Sequence, residues 1–133
     1  MNPPQYYFAL FGEPHPPEHD SFESGTYHPD PRCAPFPTNM GDILLLYCSG
    51  NYPGHVREAP GLGIVLQRDE QVVQYRYLPL AEAIPMHEIQ QAFEPDDIAK
   101  FNNRRFFNFW LFEISKTSFA RAVGKRQILW LDL

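Results

Sequence analysis

The placement of proline constrains this chain more than any other feature. Nine of its 14 prolines fall within residues 1–37. Each fixes φ at about −65° and removes a backbone donor, so this segment cannot be regular helix or sheet throughout. One proline-free stretch inside it, Gln5-Tyr6-Tyr7-Phe8-Ala9-Leu10-Phe11, is aromatic and apolar and reads as a strand. The Pro-rich stretch at about 12–39, from Gly12 to Asn39, then reads as one long ordered loop. Its aromatics, Phe22, Tyr27 and Phe36, predict that it packs onto something.

Downstream the punctuation is lighter. Gly41-Asp42 opens the run Ile43–Cys48, apolar at every position, which predicts a strand covered on both faces. Residues 61–67 predict another strand, with Gly61 and Gly63 where backbones approach closely. A short turn at Arg68-Asp69-Glu70 leads into a strand over 71–78, so the two form an antiparallel hairpin. Pro79 to Ala83 reads as irregular or one helical turn. Pro85 to Phe93 reads as a helix with Met86, Ile89 and Phe93 on one face, and 96–101 as a second short turn. Phe106–Phe112 predicts a strand rich in large aromatics. Ser115–Val123 predicts a helix ended by Gly124, and 128–131 a final strand or packed tail. Short strands with short connections suit a mixed, mostly antiparallel sheet curling into a partial barrel, in an α+β chain with short peripheral helices.

The 133 residues fit one domain, 1–133, and 15% aromatic content argues against disorder. No stretch approaches the roughly 20 apolar residues of a membrane span, and Met1–Gln5 lacks the pattern of a signal peptide. Cys33 and Cys48 have no CxxC spacing and read as two reduced thiols. These features predict a soluble cytoplasmic protein without a membrane partner. Net charge is −5, yet unevenly spread: residues 1–99 hold 14 acidic and 4 basic side chains, residues 100–133 hold 2 and 7. That basic last quarter can attract phosphate locally, or can simply solubilise an aromatic-rich segment.

Catalytic chemistry finds little support. His28-Pro29-Asp30-Pro31-Arg32-Cys33, with His15 and His19 upstream, offers zinc-competent side chains, but no established spacing; exposed loop histidines are the better reading. There is no G-x-S-x-G elbow, no phosphate-cradling P-loop, and Gly61-Leu62-Gly63 precedes a strand, so it is no dinucleotide fingerprint. No cofactor and no catalytic residue is assigned. Binding chemistry is better supported. Aromatics cluster at 6–11 and 106–112, the second cluster beside Arg104 and Arg105, with Asn108 among them able to read a base edge. The bland alternative is a buried strand with Asn108 satisfied by backbone.

Several of these pieces carry a resemblance. Met40-Gly41-Asp42-Ile43-Leu44-Leu45-Leu46-Tyr47-Cys48-Ser49-Gly50 resembles the "GD, apolar run, Y-x-S" strand of EVE domains, members of the PUA-like superfamily related to YTH and ASCH domains. Gly61–Leu66 resembles that family's "vGigeV" strand. Tyr75–Leu80 with Ile84–Ile89, and Asn108–Ser115, resemble its later strand-to-helix passages, so the likeness spans about residues 40–123. It implies a PUA-like pseudo-barrel whose pocket accepts an extruded, often modified nucleobase of DNA or RNA. By that resemblance Ser49 lines the pocket floor, Tyr47 and Trp110 its walls and Asn108 reads a base edge. Phe11 or Tyr27 closes it, and Arg104, Arg105 and Lys116 hold flanking phosphate. The chain departs from the family in lacking a tryptophan before Gly41-Asp42. No lysine precedes Lys100, so the amidohydrolase activity of ASCH relatives is not carried over. Two other classes stay open: a small hydrolase of the same fold acting on a nucleoside or other small ligand, and a protein-interaction module using the acidic Pro-rich loop.

Overall fold

The computed structural model describes residues 3–12, 21–28, 38–50, 52–68, 72–103 and 111–129. Within them lie strands β1 (Tyr6–Phe11), β2 (Thr26–Tyr27), β3 (Ile43–Cys48), β4 (Glu58–Arg68), β5 (Val73–Pro85) and β6 (Leu111–Ile114). The helices are α1 (Met86–Ala92), α2 (Pro95–Asn102) and α3 (Lys116–Val123). The strands form one mixed sheet, in the order β2-β5-β4-β3-β1-β6, curled into a half-barrel. β1 and β3 run parallel; every other pair of neighbours is antiparallel.

β3 has the bounds its apolar run predicts, and its position explains the run. It lies between β4 and β1, and side chains alternate between two covered faces. Leu45 and Tyr47, with Phe8 and Leu10 of β1, point into a core completed by Ile89, Phe93, Phe101 and Ala122 of the helical layer. Leu44, Leu46 and Cys48, with Tyr7, Ala9 and Phe11, point the other way, against Phe22, Tyr27 and Tyr75. On the helical side Phe8 stacks on Phe112 at 4.8 Å between ring centres and meets Phe101 edge-on at 5.4 Å. Such pairs add directional preference to area burial.

Two buried carboxylates organise the edges of these layers. Asp42 accepts the backbone N–H of Asn39 at 2.8 Å and of Gln5 at 3.0 Å, so it ties the turn before β3 to the entry of β1. Gly41, at φ +91°, makes the turn that aims it. The Gly-Asp pair is thus a structural device. Asp97 of α2 accepts from Ser118 Oγ at 2.6 Å and from the Ser115 N–H at 3.0 Å, while Ser115 caps α3 by accepting the Ser118 N–H at 2.9 Å.

The structure departs from the sequence expectation in three places. β5 does not stop at Leu78; it continues through Pro79 to Pro85, because residues 127–129 partner Pro79 to Ala81 and β4 partners Ile84 and Pro85. The Ala81 N–H donates to the Gln127 carbonyl at 2.8 Å, and the Pro79 carbonyl accepts from the Leu129 N–H at 2.7 Å. The expected loop over 12–39 contains β2, paired with the start of β5, and its Phe22 and Tyr27 are buried. The expected 96–101 turn is the full helix α2. Of the aromatic strand 106–112, residues 106–110 lie outside the described residues, as do Phe36 and most of the 28–33 run; the described part pairs as β6 along β1. Among the described residues no helix is long and apolar enough to cross a membrane.

Removing the Asp42 acceptor leaves two backbone N–H groups without their partner. Asp42→Ala is expected to lower unfolding free energy by about 2–4 kcal/mol, read as a reduced urea midpoint at unchanged m-value, with Asp42→Asn falling between it and the parent.

Candidate functional site

The β4–β5 ladder is interrupted at Pro60, which has no N–H to donate. Ala59 pairs with Ile84 and Gly61 with Pro79, so four residues of β5, Leu80 to Ala83, stand opposite Pro60 alone. This mismatch opens a cleft of about 230 Å³, with Pro60, Leu80 and Ala83 along the broken ladder. Its remaining walls are Phe22 and Glu23 ahead of β2, His55 and Glu58 at the entry of β4, and Tyr77 of β5.

Each wall is held from behind. The Tyr75 hydroxyl donates to the Phe22 carbonyl at 2.6 Å and the Tyr27 hydroxyl to the Leu10 carbonyl at 2.8 Å, which pins the Phe22–Tyr27 segment on the sheet. The Ser49 carbonyl accepts from the Tyr52 N–H at 3.2 Å, forming the turn that brings up His55. Arg57 adopts φ +54°, uncommon for a side chain with a Cβ, and its guanidinium lies over Gly50. Gly61 must be glycine: a Cβ there would sit 2.5 Å from Tyr77 Cε1 and 2.8 Å from the Leu78 carbonyl oxygen. Gly63 does the same for Tyr75, at 2.6 Å. The Gly-x-Gly run is a bed on which two tyrosine rings lie.

The cleft combines aromatic rings with titratable groups. Phe22 meets Tyr77 at 5.5 Å and 65°, and His55 edge-on at 4.9 Å. His55 Nδ1 lies 3.0 Å from Glu58 Oε2; the carboxylate accepts, so Nδ1 carries a proton, and in the neutral ring Nε2 is then the acceptor. Burial pushes the Tyr77 phenol up to about 12, and Glu23, Cys48 and Tyr52 add to it. Buried Cys48 is driven well above the ordinary thiol range by burial and then by Glu58 and Glu23. Both groups therefore stay protonated at neutral pH, beside negative charge. Tyr7, away from this cleft, is likewise pushed to about 12 by burial, Asp42 and Glu113.

The residues expected at a pocket are distributed differently. Tyr47 is fully buried in the helical-side core, whereas Phe11 and Tyr27 are fully buried in the opposite one, so these three do not converge on one opening. Their rings pack against neighbours: Tyr47 on Phe8 at 5.2 Å and Phe101 at 5.3 Å, Phe11 on Tyr27 at 4.9 Å. Ser49 is buried at the end of β3 and shapes the turn toward His55. Lys116 is exposed in the first turn of α3, in the helical layer. Asn108, Trp110, Arg104 and Arg105 lie outside the described residues. The cleft residues Glu23, His55, Glu58 and Tyr77 carry no contiguous motif. One signal for Tyr77 exists: an aromatic at alternate spacing from Tyr75, in a predicted hairpin facing Gly-x-Gly.

Comparison with solved structures gives a hypothetical protein from Leishmania major, with a TM-score of 0.60 and 17% identity, covering 89% of this chain and 91% of that one. It is a likeness of fold. No protein-family model and no curated protein matches the chain.

Two outcomes are expected. An unfolded tyrosine releases its proton near pH 10 and the folded Tyr77 and Tyr7 near pH 12, so the fold binds more protons in that window. Stability is therefore fully present below pH 10 and falls as pH rises from 10 toward 12; Tyr77→Phe should flatten part of the fall in urea midpoints across that range. Gly61→Ala forces the Tyr77 ring and the β5 backbone to shift, lowering stability by about 1–3 kcal/mol and changing the near-ultraviolet circular dichroism of the tyrosines.

Proposed function

We propose that this chain is a non-enzymatic binding module that captures a single nucleobase, modified and presented by DNA or RNA, in the cleft beside Pro60. The observation that carries the reading is the pairing of ring surface with hydrogen-bonding groups in one opening: Phe22 and Tyr77 beside Glu23, His55 and Glu58. Rings supply stacking surface that any base can use. Two carboxylates and an imidazole acceptor suit the amino and ring N–H donors on a base edge. At about 230 Å³ the cleft is smaller than the roughly 300 Å³ at which drug-sized sites begin. It suits one extruded base rather than a longer piece of strand. The order of motifs shared with EVE domains, within a PUA-like pseudo-barrel, supports the same reading, with the base-contacting role moved from Tyr47, Phe11 and Tyr27 to the cleft residues. Lys116, with Arg104 and Arg105, remains the candidate set for flanking phosphate.

A second reading, a small hydrolase acting on a nucleoside, draws on the His55–Glu58 pair, an imidazole oriented by a carboxylate as a general base requires. Release of free base from a nucleoside panel, abolished by His55→Ala, would favour it.

The binding reading is tested by titrating single-stranded oligonucleotides, with and without modified cytosine or adenine, across a salt series. Modification-dependent binding that weakens with salt is expected. Tyr77→Leu, checked for folding by circular dichroism, should lose about 1–3 kcal/mol of affinity. Equal binding by Tyr77→Leu would remove the cleft as the base site, and flat titrations with every oligonucleotide at low salt would remove nucleic acid as the ligand class.

A further inference from the structure

The cleft carries negative charge that no basic side chain lining it offsets among the described residues. Glu23 is exposed at the rim, and among the described residues no basic side chain pairs with its carboxylate. Glu58 has His55 as its partner at 3.0 Å. Arg57, the adjoining basic residue, lays its guanidinium over Gly50 and does not line the cleft. Glu23 also adds to burial in holding the proton on Tyr77. A neutral ring seated here would strip water from two carboxylates and give nothing ionic in return, which costs free energy. A cationic ring offsets that cost through the carboxylates, and through the ring faces of Phe22 and Tyr77, whose quadrupoles attract positive charge.

Resting on the base-capture reading above, we infer that the cleft selects a base with a fixed positive charge, the class produced by alkylating a ring nitrogen. His55 narrows the class further. With Nδ1–H given to Glu58, the neutral ring offers Nε2 as an acceptor, which matches the exocyclic amine of an alkylated adenine or cytosine. A quaternary alkylammonium has no such donor.

Two pairs of isomers separate charge from size. 1-Methyladenosine and 3-methylcytidine are cations at neutral pH; N6-methyladenosine and 5-methylcytidine have the same number of heavy atoms and are neutral. Isothermal titration of the full chain with all four, and with tetramethylammonium, is expected to give at least tenfold tighter binding of each cation than of its neutral isomer. The double variant Glu23→Gln/Glu58→Gln should shrink that preference to within about twofold, each cation being compared with its own neutral isomer on the same variant. Raising salt should weaken the cations more than the neutral isomers. Equal or tighter binding of the neutral isomers would overturn the inference while the base-capture reading stands. Binding of tetramethylammonium with none of the nucleosides would support a cation site and overturn base capture. Binding of nothing in the panel would overturn both.

Discussion

A missing hydrogen sets the character of this molecule. Pro60 cannot donate into the β4–β5 ladder, and the two strands part there by three residues of register. The excess chain of β5 must find partners elsewhere, and it finds them in residues 127–129. The opening left behind is lined by whatever the neighbouring turns present. Those turns are fixed by tyrosine hydroxyls, by the carbonyl of Ser49 and by the left-handed Arg57. Ladder break, cleft and C-terminal pairing are one feature seen from three sides.

Much of the framework was legible because it follows local rules. The all-apolar β3 needed two covered faces, and the sheet order provides them. Ser115 and Gly124 bracket α3 as cap chemistry demands. The limits of β5 were not legible: Pro79 and Pro85 resemble strand breakers, and pairing with β4 at both ends of 79–85, joined by a segment more than 40 residues downstream, makes it strand. β2, with two residues, is too short for any periodic signal.

The site was less legible than the fold. Tyr47, Phe11 and Tyr27 had the right chemistry for stacking, but alternation along β1 and β3 sends their rings into two separate cores. Sequence shows that an aromatic is present without showing on which side of a curled sheet it emerges. His55 and Glu58 sit three residues apart in a turn, a spacing shared by countless solvated pairs, and only the folded turn sets them at the mouth of an opening. The expected close approach of backbones holds at Gly61, where the Leu78 carbonyl leaves no room for a Cβ; the tyrosine rings over Gly61 and Gly63 have no signal in the Gly-x-Gly run itself.

One consequence of β5 concerns cooperativity. Val73 and Tyr75 belong to the core inside the half-barrel; Leu78, Leu80 and Ile84, on the same strand, belong to the core under the helices. β1 and β3 are shared in the same way. The molecule therefore has no internal seam along which one core could melt while the other persists, and local opening is confined to its margins. Damage to the helical layer reaches the cleft through continuous backbone, so the cleft and the distant helices rise and fall in population together.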